Sequence, residues 1–387
     1  MPYGDHAAYL DHAATAPMLP EAIAAMTEQL GRVGNPSSLH AAGRRARRVV
    51  EESREIIAEA FQARPSEVIF TSGGTEADNL AIKGLYWQRR DLGHHRVVTS
   101  AIEHHAVLDA VHWLAEHEAA EVVHLPVDGL GRVAPADLEA ALTDDTALVT
   151  IMWANNEVGT VQPIAALAAH ARGRGVPFHS DAVQAAPFLP VSLAEGADAL
   201  TLSAHKLGGP LGVGALLLAK GVDPTPVLHG GGQERDVRSG TLDTPAIAGF
   251  AAAVQTTVAR RDETVRRVGA LRDLLVDLVR AEVPDAVLNG DPADRLAGNA
   301  HFSFPGCEGD ALLMLLDARG VSCSTGSACS AGIAQPSHVL LAMGMSSEQA
   351  RGSLRFSLGH DSTEDDVRAL TAVIGAVVER ARRAGLT

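Results

Sequence analysis

The chain has little cysteine, a shortage of positive charge and no long apolar run. Three cysteines in 387 residues cannot build a disulfide framework, and their odd number fits a reducing compartment with individual thiols. Cys323 and Cys329 have neither CxxC spacing nor a histidine pair beside them, which argues against a zinc site or a redox couple there. Lysine and arginine number 32 against 47 acidic residues, a formal net charge of −15, so wrapping a nucleic acid by phosphate neutralisation is disfavoured. No apolar run reaches bilayer length, and "MPYGDHAAYLDHAAT" is not a basic segment followed by an apolar one. The expectation is a cytoplasmic protein with no membrane segment and no direct nucleic-acid partner.

What is present is ample core material: 46% of the residues are hydrophobic, in a length that allows two or three domains. From about residue 20 amphipathic stretches alternate with short β-rich runs. "ARRVVEESREIIAEAF", "TEADNLAIKGLYWQRR" and "HAVLDAVHWLAEHE" read as helices, and "EVIFTSGG", "HRVVTSAIEH" and "ADALTLSAHK" as strands. This alternation predicts an α/β protein whose mostly parallel sheet is flanked by helices on both faces. Beyond Lys206 glycine-punctuated strands are expected in "VGALLLAKG" and "TPVLHGGGQE", then one long helical stretch from about Pro245 to Glu282. Strands near "AVLNG", "NAHFSFPG" and "SLRFSLG" suggest a smaller α+β domain. The expected division is a large domain over 16–256 and a small one from 1–15 and 257–387, with a mobile loop at about 322–335.

Three stretches carry chemistry. In "SGGTEADN" (72–79) a strand meets a glycine pair and a helix begins near Thr75, so free helix amides could cradle a phosphate; Thr75 as an ordinary cap is the alternative. The stretch is neither GxGxxG nor GxxxxGK[ST]. Asp181 in "HSDAVQ" ends an apolar run, where ligands bind in open α/β sheets, or it merely caps the next helix. Lys206 in "SAHKLGGP" follows an apolar strand, where burial would lower its pKa and free its amine to attack a carbonyl; a surface turn lysine is the plainer reading. A phosphate cradle, a Schiff-base lysine and a carboxylate for a pyridinium nitrogen are together what pyridoxal 5'-phosphate requires.

The chain resembles the cysteine desulfurases of the NifS/IscS kind, in the class V aminotransferase-like branch of fold-type I pyridoxal-phosphate (PLP) enzymes. The likeness runs in order through "YLDHAAT", "GNPSSLH", "TSGGTEADNLAIKG", "EHHAVLD", "NNEVGT", "HSDAVQ", "SAHKLGGP", "HGGGQERDVRSGT", "STGSACSAG" and "RFSLG". The resemblance implies that Lys206 bonds the cofactor, that Asp181 pairs with its ring nitrogen, and that His104 stacks on the ring and moves protons. It implies phosphate contacts from Gly74, Thr75, Ser203 and His205, with Thr241 supplied by a second subunit of a homodimer. Asn156 and Gln184 would lie at the ring oxygen, and Arg355 would fork onto the carboxylate of L-cysteine, a task Asn156 would share. Cys329 would be the nucleophile that takes the sulfur as a persulfide, releases alanine, and delivers to an acceptor protein such as an iron–sulfur scaffold or a tRNA-thiolation enzyme.

The sequence departs from the family pattern at His12, where asparagine is usual, at Ala204, where glycine is frequent, and at His360, where arginine is common. Cys307 and Cys323 read as structural, with Cys323 a lesser candidate for sulfur relay. Other readings are a selenocysteine lyase, a serine hydrolase using the SxxK of "SAHK", a non-catalytic scaffold, and a metal site from His105, Asp109 and His112.

Overall fold

The computed structural model describes residues 8–326 and 336–385. In chain order the elements of the first half are β1 (Ala8–Tyr9), α1 (Pro20–Leu30), α2 (Ala41–Ala60), β2 (Val68–Thr71), α3 (Gly74–Arg90), β3 (Arg96–Ser100), α4 (His105–Glu118), β4 (Glu121–Leu125), α5 (Pro135–Ala141), β5 (Thr146–Thr150), α6 (Ile164–Gly173), β6 (Phe178–Asp181), β7 (Ala199–Ser203) and β8 (Gly214–Leu218). After them come α7 (Thr244–Ala259), α8 (Arg261–Glu282), β9 (Val287–Asn289), β10 (Asn299–Ser303), α9 (Gly309–Asp317), β11 (Val321–Ser322), α10 (His338–Ala342), α11 (Ser347–Arg351), β12 (Ser353–Ser357) and α12 (Glu364–Gly385).

Seven strands form one sheet in the order β2-β8-β7-β6-β5-β3-β4. β8 runs antiparallel to both of its neighbours, and the β7-β6-β5-β3-β4 pairings are parallel, which is the mostly parallel sheet expected. Residues along each strand alternate between two cores, as the pleat demands. Phe70, Val98, Val149, Leu200 and Leu217 face α2, α5, α6 and α7, whereas Ile69, Val97, Leu148, Ala199 and Leu216 face α3 and α4. A sheet apolar on both faces has to be sandwiched by helices, and this one is.

The remaining strands pair separately, as an antiparallel sheet β12-β10-β9 and a short parallel pair β1-β11. Phe302, Phe304 and Phe356 anchor a third core with α8, α9 and α12, and Leu10 from the N-terminal segment joins it. His12 ties the same segment down: its ring nitrogens meet the Ser357 carbonyl at 3.0 Å and Asp361 at 2.7 Å.

Two expectations fail. No strand forms in "TPVLHGGGQE", which instead makes a turn-rich excursion in which Gly232 takes φ +63. The stretch from Pro245 to Glu282 is not one helix, because it breaks at Arg260 (φ −101, ψ 3) into α7 and α8.

Candidate active site

The parallel strands β5, β6 and β7 end along one edge of the large sheet, which is where an open α/β fold forms its crevice. Asp181 is the last residue of β6 and Ser203 the last of β7, and Lys206 follows in the next turn. On the same edge α3 begins at Gly74 after Gly73, whose φ of +149 is a conformation few side-chain-bearing residues adopt. A Cβ at Gly74 would stand 3.1 Å from Val183 Cγ2, so the helix start is packed tightly against the β6 end. His104 caps α4, its Nδ1 accepting from the Ala106 N–H at 3.1 Å.

These ends surround a cavity of about 360 Å3. Gly74, Thr75, His104, Asn156, Asp181, Gln184, Ser203, His205, Lys206 and Arg355 all line it, so the structure brings together ten of the residues singled out in the sequence. Thr241 is exposed and is not part of this lining. Cys329 lies outside the described residues.

Burial dominates the electrostatics of the large-sheet side. The Lys206 amine is pushed down to about 8, first by loss of hydration and then by the positive charge of Arg355. Its Nζ donates to the carbonyls of Ala13 at 2.5 Å and Ala14 at 2.7 Å. Burial raises Asp181 to about 6; one of its oxygens accepts from the Val183 N–H at 2.9 Å, leaving the other for a cation. His104 and His205 are each pushed down to about 4 by burial, with Lys206 adding to the effect, so both rings are neutral at pH 7. His205 Nδ1 is 2.9 Å from the Thr15 hydroxyl, and Gln184 Nε2 donates to the Ala13 carbonyl at 2.8 Å.

Arg355 enters from β12 on the opposite wall. Its Nη1 donates to the Asn156 carbonyl at 2.9 Å and its Nη2 to Asp11 Oδ1 at 3.0 Å, while Nε finds no partner among the described residues.

Sequence reading missed a buried layer beneath Asp181. His179 is two residues earlier on the same strand face and meets the Thr150 hydroxyl at 2.8 Å and the Thr201 hydroxyl at 3.0 Å. Asp78 of α3 lies 3.6 Å from His179 Nε2, and burial together with the Asp181 charge holds its carboxyl well above the usual range. Glu103, accepting from Ser100 Oγ at 2.5 Å and Met152 N at 2.9 Å, is raised to about 8 by burial. The available signal was a histidine and an aspartate at period-two spacing inside an apolar run.

The minor readings also meet the geometry. Ser203 closes a strand instead of opening an α-helix, unlike the serine of an SxxK hydrolase. His105 lies 3.4 Å from Asp109, but His112 packs against the His124 ring instead, at 5.5 Å. The Cys323 thiol is pushed up to about 12 by burial and by Asp11, and burial also raises Cys307, so neither supplies thiolate at neutral pH.

The residues present fit pyridoxal 5'-phosphate. The cavity offers a helix N-terminus with no side-chain cap, a lysine with a lowered pKa and a carboxylate with a free oxygen. The family model described as Aminotransferase class-V matches residues 8–370. The IscS-like cysteine desulfurase of Mycobacterium tuberculosis is 59% identical over 385 residues, 98% of this chain and 98% of that protein. The cysteine desulfurase IscS of Dictyoglomus turgidum is 45% identical over 376 residues, 97% of this chain and 95% of the relative. Among solved structures, a NifS-like protein superposes with a TM-score of 0.90 at 34% identity, covering 96% of this chain and 99% of that one.

Proposed function

The chain belongs to the class-V aminotransferase family and is a cysteine desulfurase that works with pyridoxal 5'-phosphate; from that premise we propose how its own residues divide the reaction. When bound, the cofactor supplies an electron sink conjugated to the substrate's amino group, which acidifies Cα and loosens the carbon–sulfur bond.

Lys206 would hold the cofactor and would be the base for the Cα proton; an amine pushed down to about 8 can act as a base at neutral pH. Asp181 would pair its free oxygen with the pyridine nitrogen and favour the protonated form of that nitrogen. The α3 amides at Gly74 and Thr75, with Ser203 and His205, would bind the phosphate. His104, kept neutral and oriented by its cap to α4, would pack on the ring and exchange protons with the substrate. Asn156 and Gln184 line the same cavity and would meet the ring oxygen. Arg355 forks onto the cysteine carboxylate, exchanging its hold on Asp11 for the substrate.

Cys329 attacks the substrate sulfur as a thiolate. A sulfur–sulfur bond forms, the carbon–sulfur bond breaks, its electron pair stays with carbon, and protonation there yields alanine. The balance is L-cysteine plus the Cys329 thiol to L-alanine plus a Cys329 persulfide. The observation that carries this reading is the convergence of Lys206, Asp181, the α3 N-terminus and Arg355 on one cavity. Cys329→Ala tests it: the protein should keep the cofactor's absorbance but form no persulfide and release no alanine, and full turnover in that variant would falsify the role of Cys329.

Thr241, exposed and away from the cavity of its own chain, is available to complete the phosphate site of a second copy. A homodimer by light scattering whose cofactor affinity drops in Thr241→Ala supports this; a monomer with full affinity sinks it. The persulfide is passed in the cytoplasm to an acceptor protein, an iron–sulfur scaffold or a tRNA-thiolation enzyme. Pull-down with the persulfide-loaded enzyme separates these destinations.

A further inference from the structure

Glu157 lines the cavity but has no part in the division of labour above. It sits in the turn after β5, where Asn155 Oδ1 accepts from the backbone N–H groups of Glu157 and Val158, both at 2.9 Å. The three-stranded sheet grips the same turn, because Asn299 Nδ2 donates to the Glu157 carbonyl at 2.8 Å and Arg295 Nη2 to that of Val158 at 2.8 Å. The turn therefore has little freedom, and neither has the side chain that leaves it.

That side chain belongs to a residue only 2% exposed, and a carboxylate so buried needs polar company. Ser337 Oγ donates to Glu157 Oε2 at 2.5 Å. Ser337 is itself the N-cap of α10, accepting from the Leu340 N–H at 3.2 Å, so the carboxylate is bonded to a fixed helix start. On the other side, Glu157 Oε2 lies 3.3 Å from the point a Cβ would occupy at Gly326, whose φ is +84. Gly326 N donates to Ser324 Oγ at 3.1 Å, and Ser324 bridges to Arg355 of β12 through backbone bonds of 3.2 and 2.7 Å.

His301 Nε2 stands 3.1 Å from the same point at Gly326. Its Nδ1 accepts from Asn289 Nδ2 at 2.9 Å, which leaves the proton on Nε2, a buried donor with no partner among the described residues. A carboxylate oxygen and an imidazole N–H thus both lie close to the face of Gly326 where a side chain would stand.

In sequence, Gly326 and Ser337 flank Cys329 on either side. We propose that Glu157 is a positioning residue for sulfur transfer, tying the Ser337 flank of the Cys329 segment to the cavity wall and setting the rate at which Cys329 takes sulfur, not the binding of cysteine. This rests on the reading of Cys329 as the sulfur acceptor. Burial raises the Glu157 carboxyl and the Ser337 bond opposes that rise, in keeping with a group that relies on its hydrogen-bond partner.

The test is a single turnover of the cofactor-loaded enzyme with L-cysteine. Persulfide on the Cys329 peptide is followed by mass spectrometry, and substrate binding by the cofactor's absorbance. Glu157→Ala should slow persulfide formation by roughly a hundredfold, the scale set by misplacing a reacting group by about an ångström. The cysteine concentration for half the absorbance change should stay within about twofold. Glu157→Gln, which keeps an acceptor for Ser337, should recover most of the rate, and Ser337→Ala should lose about tenfold in the same step. Persulfide forming on Cys329 at the wild-type rate in Glu157→Ala overturns the positioning role, as does a loss of cysteine binding that matches the loss of rate. Should Glu157→Ala lose its cofactor, Glu157→Gln and Ser337→Ala carry the same comparison. A wild-type enzyme that places its persulfide elsewhere overturns the Cys329 reading itself, a result distinct from an unchanged rate.

Discussion

The cavity wall built by the seven-stranded sheet and the wall built by the three-stranded sheet hold their charged groups by different means. On the first, Lys206, Asp181 and His104 are buried until dehydration moves each towards its neutral form. On the second, Arg355 is a guanidinium that proteins do not deprotonate, and it is tied to two acceptors, the Asn156 carbonyl and Asp11. On the proposed division of labour, the sheet assigned to the cofactor adjusts protonation, whereas the sheet assigned to the substrate fixes a charge and its direction. Chemistry that moves protons belongs with the first, and recognition of a permanent carboxylate belongs with the second.

Removing the proton carrier should do the most damage to this division. Lys206→Ala is expected to lower alanine release by at least about ten-thousand-fold and to abolish the cofactor adduct seen by mass after borohydride treatment. Retention of either puts the carrier elsewhere. Asp181→Asn, which cannot hold a full negative charge, should cost about a hundredfold to a thousandfold in turnover with a shift in the cofactor's absorbance maximum. An unshifted spectrum would mean that the carboxylate does not meet the ring. On the other wall, Arg355→Lys should raise the half-saturating cysteine concentration about tenfold to a hundredfold through loss of the fork, with turnover at saturation little changed. A fall in turnover alone would blur the distinction between the walls.

The smallest effect joins the two walls. Cofactor capture by the apoprotein needs neutral Lys206, so its rate should climb about tenfold per pH unit below about 8 and level off above it. A lysine with the ordinary value of 10.5 would keep gaining. Because Arg355 is the second cause of the lowered value, Arg355→Ala should move the levelling point upward, and stopped-flow absorbance across the pH range checks the sign.

Much of the cofactor wall was legible in the sequence because strand ends are marked by apolar runs that stop at polar or glycine residues. Asp181, Gly74 and Lys206 stand at such stops. The chain also holds only three lysines. Lys83 covers the Trp113 ring and Lys220 follows β8, which leaves Lys206 for the chemistry. Asp78, His179 and Glu157 were not legible, since their importance comes from burial that exists only once α3 crosses the sheet and the 155–160 turn meets β10. Arg355 was reached through resemblance, as an arginine in a strand says nothing by itself about what it faces. "TPVLHGGGQE" misled because its valine and leucine suggest a strand but no neighbouring edge receives it. The break at Arg260 carries no proline or glycine to announce it.

The grip on Lys206 comes from main-chain oxygens at Ala13 and Ala14, and that has an awkward result for anyone mapping this enzyme by mutation. A residue-by-residue scan changes side chains and so does not test this hold, whose atoms belong to the main chain. What inheritance must preserve there is the route of the polypeptide, and only an amide-to-ester exchange, which weakens the carbonyl itself, would expose it.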